Sequence, residues 1–96
     1  MFDNQHYITK GISENIPPWL VNLMWFMISQ MEVESKDYLQ VFELEKQPDG
    51  KQYICHKQEQ PPYKYELCLE CKNAVTAKIF VIDDQTHSTM LLSEEY

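Results

Sequence analysis

Three cysteines and a neighbouring histidine are the first residues of this chain that could do chemistry. Cys68 and Cys71 have the C-x-x-C spacing, and Cys55 and His56 precede them. Thiolates and imidazole are zinc ligands, so these four groups could form a tetrahedral site. In a regular strand, however, Cys68 and Cys71 project to opposite faces, and no glycine lies between them to make a tight turn. We therefore predict unligated cysteines and no cofactor, with metal binding as the alternative.

A second group of reactive side chains follows an apolar run near the C-terminus. Asp83, Asp84 and His87 could hold a divalent cation, or pair a general base with an orienting carboxylate. No glycine-rich phosphate loop, nucleophile elbow or H-E-x-x-H motif accompanies them. A polar turn capped by aspartate explains the same pattern more simply. We predict no catalytic residues and a non-enzymatic protein. A small metal-dependent hydrolase or metal-binding protein built on these three residues is the alternative.

Four tyrosines fall on consecutive predicted strands, at positions 38, 53, 63 and 65. Together they could form an aromatic surface on which single-stranded bases stack. Such surfaces also need positive charge, whereas this chain has 8 Lys and Arg, 15 Asp and Glu, and a formal net charge of −7. We therefore predict cross-strand aromatic pairing and no nucleic-acid binding. An acidic chain can bind a basic protein, so an acidic decoy of a nucleic-acid-binding protein is a further alternative.

One amphipathic helix organises the predicted fold. Between Ile16 and Met31, apolar residues recur every three or four positions, which is the spacing of a single helix face. The two prolines near its start suit a first helical turn, where a missing N–H group costs no hydrogen bond. The apolar stripe centres near Leu20, Leu23 and Met27. This stripe is predicted to pack on a sheet.

Three residues of the same helix do not fit the buried stripe. Val21 and Trp25 lie far from its centre at 100° per residue, and Phe26 lies on its flank. Tryptophan is enriched at interaction hot spots, and apolar patches outside a core often mark contact surfaces. Val21, Trp25 and Phe26 are therefore the predicted partner-binding residues. The predicted function is a protein-interaction or homodimerising domain.

The remainder of the chain is predicted to form short strands separated by turns. Residues 13–15 are expected to cap the helix, and residues 86–92 fit either a strand or a helix. The fold class is α+β in a single domain over residues 1–96. One main amphipathic helix packs on a mostly antiparallel sheet of about five strands, in the order β-α-β-β-β-β. The strands are predicted at 6–10, 38–45, 51–57, 63–70 and 77–83, with a hairpin turn at 47–50.

The chain carries features of a cytoplasmic protein. Its first six residues are polar and do not resemble a secretory signal. The apolar run Trp19–Ile28 is about half the length that a membrane span requires. An odd number of cysteines, 3, argues against a disulfide framework. We therefore predict a cytoplasmic location, reduced thiols and no membrane contact.

Three segments resemble a small family of uncharacterised proteins from Gram-positive Firmicutes. They are residues 38–44, residues 56–61 and, most specifically, residues 78–96. The resemblance covers essentially the whole chain and implies a bacterial protein. Because the family carries only a domain-of-unknown-function label, the resemblance implies no activity, substrate or site residue. The cysteines lie outside the family pattern, which weakens the metal-binding hypothesis.

Overall fold

The computed structural model describes residues 1–96, which form six strands, two α-helices and a final 3₁₀ turn. The α+β class is confirmed, and neither helix is long and apolar enough to cross a lipid bilayer. In chain order the elements are β1 (Gln5–Ile8), α1 (Lys10–Asn15), α2 (Pro18–Ser29), β2 (Leu39–Lys46), β3 (Gln52–Gln58), β4 (Tyr63–Leu69), β5 (Ala77–Asp83), β6 (His87–Leu92) and the turn Ser93–Glu95.

The six strands form one mixed sheet in the order β1-β6-β5-β2-β3-β4. Four of the strand pairs are antiparallel, whereas β1 runs parallel to β6 at one edge. The predicted five-strand sheet and the order β-α-β-β-β-β are therefore wrong. The segment whose periodicity was ambiguous is a strand, β6, because it pairs with β1 on one side and β5 on the other. Only tertiary pairing could decide between the two structures.

The predicted hairpin between β2 and β3 is confirmed. Gly50 has a φ of +87°, a left-handed conformation that glycine adopts without steric cost. Its N–H group donates to the carbonyl oxygen of Gln47 at 2.9 Å, which closes the turn. The two strands then pair in antiparallel register from Val41 opposite Lys57 to Lys46 opposite Gln52.

A second helix, α1, occupies residues that were expected only to cap the main helix. Thr9 is its N-cap, and the Thr9 hydroxyl accepts a hydrogen bond from Ile12 N at 3.3 Å. Ile12 is fully buried, so this helix of 6 residues closes one end of the core. The capping prediction for residues 13–15 is therefore wrong. Helix α2 begins after Pro17, with Pro18 in its first turn as expected.

Both helices pack on one face of the sheet and completely bury the side chains at its centre. Phe42, Ile54, Ile79, Val81 and Met90 are all 0% exposed on that face. These residues join the buried stripe of α2 in one core cluster. The opposite face of the sheet carries no helix, and charged side chains lie across part of it.

The buried stripe of α2 is rotated from its predicted position. Val21, predicted to lie off the stripe, is only 8% exposed, while Leu23 is half-buried. Val21 lies beside Ile8 and Ile16, where β1 and the end of α1 approach the helix. The expectation that Val21 faces outward is therefore wrong, because the N-terminal elements cover that side of α2.

One buried carboxylate holds the N-terminal segment against the sheet. Asp83 accepts hydrogen bonds from Phe2 N at 2.7 Å, Gln85 N at 2.7 Å and Asn4 Nδ2 at 3.0 Å. Burial raises the pKa of Asp83, but these hydrogen bonds outweigh burial and leave its pKa below the ordinary value. Asp83 is therefore a charged anchor for residues 2–4.

A second carboxylate, Glu95, joins the C-terminal turn to the start of α1. It accepts from the Thr9 hydroxyl at 2.6 Å, from Leu92 N at 2.8 Å and from Gly11 N at 3.1 Å. These bonds, the Thr9 bond foremost, lower the pKa of Glu95. A Cβ atom on Gly11 would lie 2.6 Å from the Glu95 carboxyl group, so the glycine is what allows this close approach.

Candidate interaction site

The predicted cluster of Asp83, Asp84 and His87 forms a turn whose polar groups bond to one another. Asp84 Oδ1 accepts from the N–H groups of His87 and Thr86, both at 3.0 Å, and from the Thr86 hydroxyl at 2.8 Å. These hydrogen bonds, the His87 bond foremost, lower the pKa of Asp84. His87 Nε2 lies 3.3 Å from Asp84 Oδ2, but the Asp83 carboxylate turns away to bind Phe2. The structure therefore brings together two of the three residues.

The other candidate metal ligands do not converge. Cys55 is buried, Cys68 is exposed and Cys71 is partly exposed, and all three are free thiols. His56 and Cys55 are consecutive in β3, so their side chains lie on opposite faces of the sheet. Across the whole chain, no three His, Cys, Asp or Glu side chains lie close enough together to hold a metal ion.

The tyrosines do not form one aromatic surface. Tyr63 and Tyr65 lie on the helix-covered side of β4, whereas Tyr53 lies on the opposite side of β3. The Tyr53 hydroxyl donates to Glu66, which raises the pKa of Tyr53. Tyr63 meets the ring of His56 edge-on, with ring centroids 5.3 Å apart. Of the four tyrosines predicted to pair across strands, Tyr63 thus makes an aromatic contact with a neighbouring strand.

Sequence reasoning missed a buried glutamine that holds a loop in place. Gln52 is 0% exposed, and its side-chain amide pairs with both backbone groups of Val75, as the backbone of a neighbouring β-strand would. Gln52 Oε1 accepts from Val75 N at 2.8 Å, and Gln52 Nε2 donates to Val75 O at 3.0 Å. The segment between β4 and β5 is thereby joined to β3. The sequence did contain a signal for it. Side chains alternate between the two faces of a strand, and this alternation places residue 52 on the inward face of β3.

Two more buried glutamines, Gln40 and Gln58, form a network with His56 that sequence reasoning also missed. Gln40 Nε2 donates to Asp37 O at 2.9 Å and to Gln58 Oε1 at 2.7 Å. The remaining oxygen, Gln40 Oε1, lies 2.7 Å from His56 Nε2 and is an acceptor, so His56 Nε2 carries a proton and donates. His56 Nδ1 has no hydrogen-bond partner.

His56 is a neutral core residue. Its ring stacks on Phe42, with centroids 4.3 Å apart and planes 13° apart. Burial, with a smaller contribution from the positive charge of Lys36, lowers the pKa of His56 from 6.5 to about 4. Because His56 is also 0% exposed, it does not form part of an open site.

The adjacent aromatic residues Trp25 and Phe26 of α2 point toward different edges of the sheet. Trp25 is half-buried and stacks on His6 of β1, with ring centroids 3.9 Å apart and planes 5° apart. Phe26, the next residue, points toward β4 and is 59% exposed. Of the three predicted partner-binding residues, Val21 is therefore buried, Trp25 is partly covered and Phe26 is open to solvent.

An apolar groove lies between α2 and β4 on the Phe26 side of the helix. Its volume is about 260 Å³, and six of its seven lining residues are hydrophobic. Tyr63 forms part of the groove wall, and its partial burial there is the main cause that raises its pKa. The charges of Tyr65 and Glu32 raise the pKa of Tyr63 by smaller amounts. The groove is lined by Leu23, Phe26, Met27, Gln30, Tyr63, Tyr65 and Leu67.

The groove exists because the helices do not cover the whole sheet. Helix α1 contacts β6, and the buried side of α2 packs with residues of the central strands, such as Phe42 and Ile79, so β4 at the far edge has only partial cover. Tyr65 is 52% exposed, whereas His56, directly opposite it on β3, is 0% exposed. Because β4 pairs only with β3, the outer edge of β4 also offers unpaired backbone groups beside the groove.

Comparison with known proteins places this architecture in a family. Residues 5–95 match the family described as a staphylococcal protein of unknown function, DUF960. The chain belongs to the DUF960 family. The predicted resemblance to an uncharacterised family of Gram-positive Firmicutes is thereby confirmed.

A solved structure shares the fold of this DUF960 chain. It is the crystal structure of a protein of unknown function from Enterococcus faecalis, with a TM-score of 0.83 and 24% sequence identity. The alignment covers 98% of this chain and 92% of that chain. Comparison with functionally curated proteins gives no match. This chain and the Enterococcus faecalis protein therefore have the same fold.

Proposed function

We propose that this DUF960 protein is a non-enzymatic interaction domain of the cytoplasm that binds a protein partner through the groove between α2 and β4. The observation that carries the proposal is the exposure of Phe26 and Tyr65 on facing walls of one apolar groove, at 59% and 52%. Exposed aromatic side chains that line a common groove are typical anchors of protein contacts. The three free thiols suit a reducing compartment.

The chemistry of the groove favours an apolar protein surface as its ligand. Gln30 is the one lining residue that is not hydrophobic, so recognition would depend mainly on removing aromatic and aliphatic surface from water. Removing apolar surface from water is worth about 25 cal/mol per Å², from which the entropy cost of association is subtracted. The adjacent free edge of β4 adds hydrogen-bonding groups that can fix the orientation of a partner.

Site-specific photo-crosslinking inside the cells that naturally make this protein tests the proposed function. A benzophenone amino acid replaces Phe26 in one variant and Tyr96 in a matched control. Tyr96 is 80% exposed and contacts Phe80 on the opposite side of the sheet. We expect a discrete crosslinked product from position 26 and none from position 96. A product from position 96 alone, or from neither position, would contradict binding through the groove.

A further inference from the structure

We infer that the groove is filled by a second copy of this chain, through antiparallel pairing of β4 with β4 of that copy, centred on Tyr65. The inference rests on the proposed function, since it names the partner that occupies the same groove. It would extend the sheet from six strands to a continuous sheet of twelve across a two-fold axis. The free edge of β4 and the charge pattern along that strand carry the argument.

The edge of β4 is suited to pairing in length and in shape. It has 7 residues, whereas β1 at the opposite edge has 4. The helix-side residues of β4 are Tyr63, Tyr65, Leu67 and Leu69, which form a continuous apolar row. Two-fold pairing that keeps both α2 helices on the same side of the joined sheet brings two such rows together. Each copy then covers the groove of the other.

The opposite side of β4 selects the register by charge. When pairing is centred on Tyr65, Lys64 of one copy lies opposite Glu66 of the other, and the symmetry repeats this contact. Within one chain Lys64 and Glu66 are 62% and 50% exposed and form only a long ion pair of 3.9 Å through Glu66 Oε1, while Glu66 Oε2 accepts from the Tyr53 hydroxyl. Because both side chains are at least half exposed, each can also contact a second copy, where opposite charges across strands are stabilising.

The neighbouring symmetric registers are less favourable. Centring on Lys64 or on Glu66 places like charges directly opposite one another, which is destabilising. Centring on Leu67 pairs Glu66 with Cys68 and moves Lys64 opposite Glu70, beyond the end of the strand. Tyr65 is thus the centre that gives complementary pairs inside β4.

The charge pattern also explains how this edge avoids pairing with unrelated strands. Pro61 and Pro62 precede β4, and Lys64 lies on its exposed side; prolines and lysines commonly protect sheet edges against unselective pairing. Because each chain carries a net charge of −7, two copies repel each other at long range. Association therefore depends on local complementarity at Lys64 and Glu66 and on burial of the two grooves.

Charge reversal tests both the dimer and its register. Light scattering coupled to size exclusion, over about 1 µM to about 1 mM protein, should show a mass that rises toward twice 11.5 kDa in the wild type. Lys64→Glu and Glu66→Lys should each weaken dimerisation roughly tenfold, because two opposite-charge contacts become like-charge contacts. The double variant, with both charges reversed, should restore it. Lys10→Glu and Glu14→Lys make the same changes in net charge at a pair on α1 and should have no effect.

Hydrogen exchange supplies an independent readout. Amides of β4 should gain protection as the wild type is concentrated, while those of β1 at the other edge should not. A monomer at every concentration, a dimer indifferent to the single reversals, or a double variant that is not restored would overturn the inference. The proposed function would survive a monomeric result if the crosslinker at Phe26 still captured a different protein. It would fail if position 26 gave no product.

Discussion

The rings of His6 and Trp25 stack 3.9 Å apart and within 5° of parallel. This contact joins the N-terminal edge strand to the main helix and covers the side of α2 that faces β1. His6 is held in turn by its Nε2 atom, 2.9 Å from the carbonyl oxygen of Phe2. The consequence is an asymmetric helix, with one aromatic side chain used for the fold and the adjacent one, Phe26, left in the groove.

Substitution at these adjacent positions should separate stability from binding. We expect Trp25→Ala to reduce the free energy of unfolding by roughly 1–3 kcal/mol, because it removes a half-buried ring and the stacking contact of that ring with His6. Phe26→Ala should change it by less than about 0.5 kcal/mol, since the side chain is mostly exposed. Urea denaturation measures both values. Equal destabilisation by the two substitutions would contradict this division.

The same pair gives the matched comparison for partner binding. With a crosslinker placed at Tyr65, on the facing wall of the groove, Phe26→Ala should reduce the yield of crosslinked product. Trp25→Ala should leave the yield of crosslinked product, measured per amount of folded protein, unchanged. Greater loss with Trp25→Ala would place the contact on the β1 side of the helix. That result would argue against the groove.

Removing the amide of Gln52 should destabilise the fold. Gln52→Ala leaves both backbone groups of Val75 without their partner, and an unsatisfied buried group costs about 1–3 kcal/mol. We expect a loss of roughly 2–3 kcal/mol in the free energy of unfolding. Gln5→Ala, at an exposed position of β1, should have little effect and serves as the control. A neutral Gln52→Ala would show that the segment around Val75 does not depend on this amide.

Acid should destabilise the protein through His56. In the folded state the pKa of His56 is about 4, against an ordinary value of 6.5, so the unfolded chain binds the proton more readily. Stability is therefore unaffected above pH 6.5 and falls as pH drops toward 4, by an amount on the order of 3 kcal/mol. Urea denaturation at a series of pH values gives this slope.

A His56→Gln variant is the control for the acid effect. It lacks the titrating ring but can still donate to Gln40, so its stability should fall less between pH 6.5 and 4. Asp83, Asp84 and Glu95 have lowered pKa values, and the stability from their charges is lost in both proteins as pH falls below their ordinary pKa values of 3.8 to 4.5. Identical pH dependence of wild type and variant would exclude His56 as the cause.

Gly11 and Glu95 should be coupled. Gly11→Ala places a methyl group 2.6 Å from the Glu95 carboxyl group and should displace it from Thr9, lowering the thermal midpoint by several degrees. In a Glu95→Ala background the conflict is gone, and Gly11→Ala should be neutral or slightly stabilising because alanine favours helix. The double-mutant cycle measures the coupling. Additive effects would contradict the contact.

Local sequence patterns predicted much of the fold correctly. The glycine turn at 47–50, the hairpin of β2 and β3 and the position of α2 follow from turn chemistry and from periods of two and 3.6 residues. Helix α1 was missed because its 6 residues are too few for a periodic signal. The sixth strand was ambiguous because a short apolar segment satisfies both periods.

Local sequence patterns specify where α2 lies along the chain, which strands pair with their sequence neighbours and the acidic character of the molecule, but not which side of α2 is buried. The parallel pairing of β1 with β6 depends on tertiary contacts, because it joins residues more than eighty positions apart. The same contact decided the roles of Trp25 and Phe26. A helical periodicity identifies which residues share a face, but what covers each face depends on where distant segments pack. His6 covers one side of α2, and the groove beside β4 remains open.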